Sequence, residues 1–160
     1  MSARPEMLAT KGLPGCGKTT FAEQWVAEDR SNRARISRDD TRKMLHGGWI
    51  GTEEHERQVT VVTHEGIRGL LRLGVSVVED STNLDDLHLL RLAEIAEQVG
   101  AWYRVVDFTK VPFETCVARD ARREGPARVG RAVILAMHQR YLQGGGQDRA
   151  LPPSPLLPVR

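Results

Sequence analysis

Gly12-Leu13-Pro14-Gly15-Cys16-Gly17-Lys18-Thr19, followed by Thr20, sets its glycines, lysine and threonine at the spacing G-x-x-x-x-G-K-[ST]. That spacing suits the binding of phosphate. Glycines let a backbone turn tightly and point its N–H groups into a concavity that holds an anion. Lys18 brings a positive charge to the outer phosphates of a nucleoside triphosphate. The Thr19 hydroxyl suits the accompanying Mg²⁺. A helix starting at Thr19 turns its positive dipole end toward the same phosphates. Gly15, Cys16, Gly17, Lys18, Thr19 and Thr20 are therefore the candidate phosphate ligands.

Phosphate binding becomes transfer to a hydroxyl when a second group orients or deprotonates the acceptor and cations surround the moving phosphate. Asp39 is the first candidate for the base, with a helix-capping carboxylate as the alternative. Asp80 suits a metal held through water, or positioning of the acceptor; the alternative is a turn former beside Ser81 and Asn83. Arg119, Arg122 and Arg123 suit a cationic clamp over the donor, with Arg119 and Arg123 four apart on one predicted helix. The alternative is a solvated helix face.

Elements of regular structure must carry these residues to one place. A weakly apolar strand over Met7–Thr10 leads into the glycine loop, with the charge of Lys11 at its end. A helix follows through Ala27, then a short strand over Ala34–Ser37 and a helix over Arg42–His46, which Asp40 or Thr41 would cap. Gly47-Gly48 breaks the chain. Apolar residues from Glu53 to Leu73 recur at helical spacing, and Gly74 stops them. Val75–Asp80 is the best strand, followed by a turn at Ser81–Asn83. Then come a helix from Asp85 or Asp86 to Val99, a strand over Trp102–Phe108, a helix from Pro112 to Arg123, and a helix from Arg131 to Leu142. Strands alternating with helices predict an α/β fold, a P-loop NTPase three-layer arrangement with a small parallel sheet of about four strands flanked by helices. Ligands of such sheets bind at the carboxyl ends of the strands. The glycine loop, Arg38–Asp40 and Asp80–Asn83 all fall there.

The 160 residues suit one domain over 1–143, with a Gly- and Pro-rich tail or linker over 144–160. No apolar run reaches the ~18 residues of a membrane helix, so no membrane partner is expected. Residues 1–6 lack the apolar core of a signal peptide. The two cysteines, one inside the glycine loop, argue against a disulfide framework, and a reducing, cytoplasmic setting is expected. Net charge is +2, unevenly spread: residues 108–160 hold 9 basic and 4 acidic side chains, mostly arginine among the basic ones. Arginine suits phosphate recognition because its fork is planar and always charged.

Four stretches together resemble the 5′-kinase domain of phage T4-type polynucleotide kinases, in order and spacing, over roughly residues 7 to 142. They are Gly12–Thr20, Arg38-Asp39-Asp40-Thr41-Arg42, Asp80-Ser81-Thr82-Asn83-Leu84 and Arg119-Asp120-Ala121-Arg122-Arg123-Glu124-Gly125. Val133, Met137 and Tyr141 resemble the family's final kinase helix. The resemblance implies that Asp39 is the general base for a 5′-hydroxyl and that Arg42 contacts the acceptor's phosphate. It implies that Arg119 and Arg123 are lid arginines on the donor phosphates, with Lys18 and Arg123 assisting catalysis. Asp80, Thr82 and Asn83 fall on the acceptor side. One departure is plain: the T4-type sequence reads Ser-Asp-Thr-Asn where this chain reads Asp80-Ser81-Thr82-Asn83, so the aspartate shifts by one position.

The expected activity is transfer of the γ-phosphate of ATP, or another nucleoside triphosphate, to the 5′-hydroxyl of a DNA or RNA end, with Mg²⁺. Two rivals stay open at this point. One is a P-loop kinase acting on a small-molecule hydroxyl of a sugar, nucleoside or antibiotic. The other is a nucleotide-binding regulatory ATPase with no acceptor.

Overall fold

A computed structural model describes residues 3–143; the expected tail over 144–160 lies outside the described residues. Four strands, β1 (Glu6–Lys11), β2 (Arg33–Ile36), β3 (Ser76–Glu79) and β4 (Trp102–Asp107), form one sheet in the order β2-β3-β1-β4, all parallel. Six helices connect and cover them: α1 (Lys18–Ala27), α2 (Arg38–His46), α3 (Glu53–Arg72), α4 (Asp86–Val99), α5 (Phe113–Ala121) and α6 (Arg131–Tyr141). The expected α/β class and strand number hold. No helix among the described residues is long and apolar enough to cross a membrane.

The central strands β1 and β3 bury both faces, with alternate residues on opposite sides, while the edge strands β2 and β4 are partly open. Met7, Ala9 and Val77 pack with Ile67 and Leu71 of α3 and Leu89, Leu92, Ala93 and Ala96 of α4. Leu8 and Val78 face the other way, onto Ala22 and Trp25 of α1. A third cluster lies under the glycine loop, where Leu13, Cys16 and Leu84 meet Cys116 of α5 and Ile134 of α6. In α6 the buried residue is Ile134; Val133 is exposed, and Met137 and Tyr141 pack partly against this cluster.

Three local expectations need correction. Helix α2 starts at Arg38 rather than Arg42, and its cap is Ser37, whose hydroxyl accepts from the Asp40 N–H at 3.0 Å. Ser37 followed three residues later by an acidic residue is the pattern of a helix start, and a serine oxygen reaches that N–H more easily than a side chain already inside the turn. Helix α5 stops at Ala121, so Arg123 lies past its end rather than on its face; Gly125, at φ 59°, opens a 3-10 turn over 125–127. β1 runs through Lys11, its last residue, one position past the expected Thr10. The Lys11 charge is buried, 2% exposed, because Nζ bonds the Asp86 carboxylate at 3.0 Å.

Candidate active site

The site lies at the carboxyl ends of β1 and β3, where the strand order reverses around β1. The loop from Gly12 to Gly17 leaves β1 and ends in α1, with Gly17 as N-cap in a left-handed conformation. Gly15 is also left-handed, at φ 82°, and a Cβ there would sit 2.3 Å from the Cys116 carbonyl oxygen. Only glycine fits that position. The Lys18 ammonium folds back over the loop and donates to the carbonyls of Gly12 (3.0 Å) and Leu13 (2.7 Å), and to Cys16 Sγ at 3.4 Å. Cys16 and Cys116 are both buried free thiols, and burial pushes the Cys116 pKa up.

A cleft of about 290 Å³ opens over this loop, lined by Gly15, Gly17, Lys18, Thr19, Thr20, Arg119, Arg122 and Arg123. A lysine, three arginines and the N-terminus of α1 converge on it, which is the charge complement of a triphosphate. Arg119 donates to the Cys16 carbonyl at 3.3 Å, and Arg123 to the Ala127 carbonyl at 3.5 Å. Asp120, 1% exposed, fixes the segment that carries these arginines. Its carboxylate accepts from the N–H groups of Val129 (2.9 Å) and Gly130 (2.8 Å), closing the loop onto α6.

Thr19 links the loop to β3 and, through Arg35, to α2. Its hydroxyl donates to Asp80 Oδ2 at 2.8 Å. Arg35 of β2 donates to the same oxygen from Nε (2.9 Å) and forms an ion pair through Nη2 (2.8 Å), while its Nη1 reaches Asp40 Oδ2 at 2.5 Å. Asp80 is buried, so these partners compensate its charge. A hydroxyl beside a carboxylate is a donor set that suits Mg²⁺, which takes one or two protein oxygens and fills its shell with water and substrate phosphate.

On α2, Asp39 has its side chain 93% exposed and accepts from Arg42 Nη1 at 2.6 Å. It is therefore not the cap of the helix. Arg42 is also gripped from α3, where Glu56 accepts from Nε (2.8 Å) and Nη2 (2.6 Å). The fork of Arg42 holds Glu56 below the usual carboxylate range. Arg38 turns toward α3 and donates to the Thr60 hydroxyl at 2.8 Å.

The segment 81–83 knits the loop to β1. Gly12 N–H donates to the Thr82 carbonyl at 2.9 Å, and Thr10 Oγ1 to the Ser81 carbonyl at 2.9 Å. Asn83, buried and at φ 43°, spends its amide on the Thr10 carbonyl (2.9 Å) and the Glu79 carboxylate (2.5 Å). Burial pushes the Glu79 pKa up. Behind this segment a cavity of about 30 Å³ is lined by Arg38, His64, Glu79, Asn83, His88 and Arg91, among others.

The candidate residues thus come together as two groups joined by one bridge: the phosphate-loop residues with Arg119 and Arg123, and the α2 pair Asp39 and Arg42. Sequence reasoning missed the bridge, Arg35, and the restraint, Glu56. One arginine in a four-residue edge strand and one glutamate in an acidic helix start carry no motif.

A family model described as an AAA domain matches residues 7–143. Among solved structures, a chain of the Pnkp1/Rnl/Hen1 complex is similar at 28% identity and TM-score 0.66, over 74% of this chain and 40% of that one. A chain of the Pnkp1/Rnl/Hen1 RNA repair complex is similar at 26% identity and TM-score 0.76, over 94% of this chain and 48% of that one. This chain thus spans less than half the length of either. The APS kinase CysC of Mycobacterium tuberculosis, solved with AMPPNP and APS, matches at 18% identity and TM-score 0.61, over 74% of this chain and 70% of that one; it shares the fold. No curated protein matches the sequence.

Proposed function

The chain belongs to the AAA-domain family with a kinase-like P-loop fold, and from that premise we propose that it transfers the γ-phosphate of ATP to the 5′-hydroxyl of a DNA or RNA end. The observation that carries the reading is the placement of Asp39 and Arg42. An exposed carboxylate and a guanidinium fork sit on one helix, which Arg35 ties to the carboxylate that accepts from Thr19. Likeness at 26–28% identity to chains of a complex described as one of RNA repair supports a nucleic-acid acceptor.

In this reading the amides of Gly15 to Thr20 and the Lys18 ammonium bind the donor phosphates. Lys18 gives up the carbonyls of Gly12 and Leu13 to do so. Arg119 and Arg123 neutralise the phosphates from above and exclude water. Thr19, with Asp80 behind it, would hold Mg²⁺, which supplies Lewis-acid stabilisation of the transferred group. Arg42 binds the phosphate that follows the acceptor nucleotide, and Thr82 and Asn83 shape the acceptor side through the loop they anchor. Asp39 orients the 5′-hydroxyl and takes its proton. The bond between the 5′-oxygen and the γ-phosphorus forms as the bond to the β,γ-bridging oxygen breaks.

The grip of Glu56 on Arg42 favours one second reading, a kinase for a small-molecule hydroxyl in which Arg42 is a strut between helices. One assay separates them. The protein is given γ-labelled ATP with a 5′-hydroxyl oligonucleotide, a 5′-phosphorylated control, and a salt series. Label confined to the 5′-hydroxyl strand, falling steeply with salt, is expected. Label in neither strand overturns the proposal.

A further inference from the structure

The α2–α3 connection exposes an aromatic surface that the phosphate chemistry does not use. Trp49 is 60% exposed. Its ring lies against His55, with centroids 4.7 Å apart, and His55 meets His46 edge-on at 5.2 Å. Trp25, by contrast, is buried, and Trp102 packs under Arg4.

These rings continue the acceptor side. Asp39, Arg42 and His46 are spaced three and four apart, so they share one stripe of α2. Asp39 pairs with Arg42, Arg42 with Glu56, and the neighbour of Glu56 is His55, which carries Trp49. The Gly48 N–H donates to the Arg42 carbonyl at 3.3 Å, which folds the Trp49 loop back onto the helix end. From Asp39 to His46 is about 10 Å at the helical rise per residue. Nε2 of His46 is buried and has no hydrogen-bond partner, an uncommitted polar group at the end of this lane.

An exposed aromatic face beside arginine is how single strands are held without sequence preference: the backbone follows the cations and bases stack on the rings. We propose that Trp49, backed by His55, is the stacking platform for a base of the acceptor strand lying inward of its 5′-terminal nucleotide. This rests on the reading of the acceptor as a nucleic-acid end. Arg42 itself is balanced by Asp39 and Glu56, so the choice of a strand over a protein partner rests on the stripe of α2 that runs from Asp39, the proposed hydroxyl site, to the rings.

The test compares two acceptors in the full chain: a 5′-hydroxyl oligonucleotide of about eight nucleotides, and a nucleoside 3′-monophosphate, which reaches Asp39 and Arg42 but not the rings. Trp49→Ala is expected to raise KM for the oligonucleotide about tenfold, the size of one lost base stack, with KM for the monophosphate unmoved. Trp49→Phe should recover most of the loss. An unchanged oligonucleotide KM in an active Trp49→Ala overturns the platform and leaves the function standing. If the wild type phosphorylates neither acceptor, the functional reading has failed, and fluorescence decides the platform alone. Quenching by oligonucleotide that disappears in Trp49→Phe supports it, and no quenching overturns it. A Trp49→Ala protein that changes from dimer to monomer assigns the surface to a second copy instead, and also overturns it.

Discussion

Arg35 and Asp80, 45 residues apart in the chain, meet through two guanidinium nitrogens at 2.9 and 2.8 Å on a single carboxylate oxygen. The same oxygen accepts from Thr19, and the same guanidinium reaches Asp40, one residue past Asp39. The phosphate loop and α2 are thus held at a fixed separation by one side chain. The proposed transfer needs reacting atoms aligned to within tenths of an ångström, and in that reading this spacing sets the rate.

Replacing Arg35 should therefore damage the rate more than binding. Arg35→Leu is expected to lower kcat at least tenfold with little change in the Kd for ATP. It should also cost about 3 kcal/mol of stability, because it strands the buried Asp80 carboxylate. Arg35→Lys should restore stability further than rate, since an ammonium cannot span both carboxylates in one plane. Steady-state kinetics and thermal melts on both variants give the answer, and equal losses in kcat and ATP affinity would refute the positioning role.

Asp39 offers the cleanest separation of chemistry from folding. Its side chain is almost fully exposed, so Asp39→Ala should change stability by no more than about 0.5 kcal/mol. Transfer to the acceptor should fall by a factor of 100 or more, on the order of a lost general base, with ATP binding retained. Residual transfer near the wild-type rate would remove Asp39 from the role.

Gly15→Ala is expected to abolish nucleotide binding and to destabilise the fold by at least about 2 kcal/mol. Two causes act together: the left-handed backbone, and a Cβ 2.3 Å from the Cys116 carbonyl. Nucleotide titration and a thermal melt measure the two effects separately. Binding that survives would mean the loop and α5 separate readily.

Acid should weaken the fold in two steps. Burial, then Arg38, Arg68 and Arg91, push the His64 pKa down to about 4. His64 thus stays neutral in the fold while an unfolded chain protonates near its ordinary ~6.5. Below that value the unfolded state binds more protons, so stability falls between about pH 6.5 and 4. His88, lowered by burial in the same way, adds to this slope. Glu56, whose pKa the Arg42 hydrogen bond lowers, contributes stability above the ordinary carboxylate value that is lost only as pH falls through its lowered one. Melting temperature against pH should show the upper slope flattened in His64→Asn and the lower one in Glu56→Gln. Unchanged profiles would contradict these assignments.

The sequence by itself determined the phosphate loop and the class of the fold. Both rest on local rules: which residue type tolerates a left-handed turn, and how apolar positions recur along a strand or helix. Gly15 and Gly17, the short apolar run from Met7, and the helical period from Glu53 obey those rules wherever the chain goes. Tertiary structure decided the rest. The strand order β2-β3-β1-β4 sets β2 against β3, which brings Arg35 to Asp80. Packing of α3 against α2 brings Glu56 to Arg42. Entry of α4 beside β1 gives Lys11 its partner and lets a charge be buried. Asn83 looked like a turn residue beside a site and proved to spend its amide inside the fold. Each of these is a charge or amide whose cost of burial only a residue distant in sequence could offset, and the spacing of residues along one chain does not encode that partner.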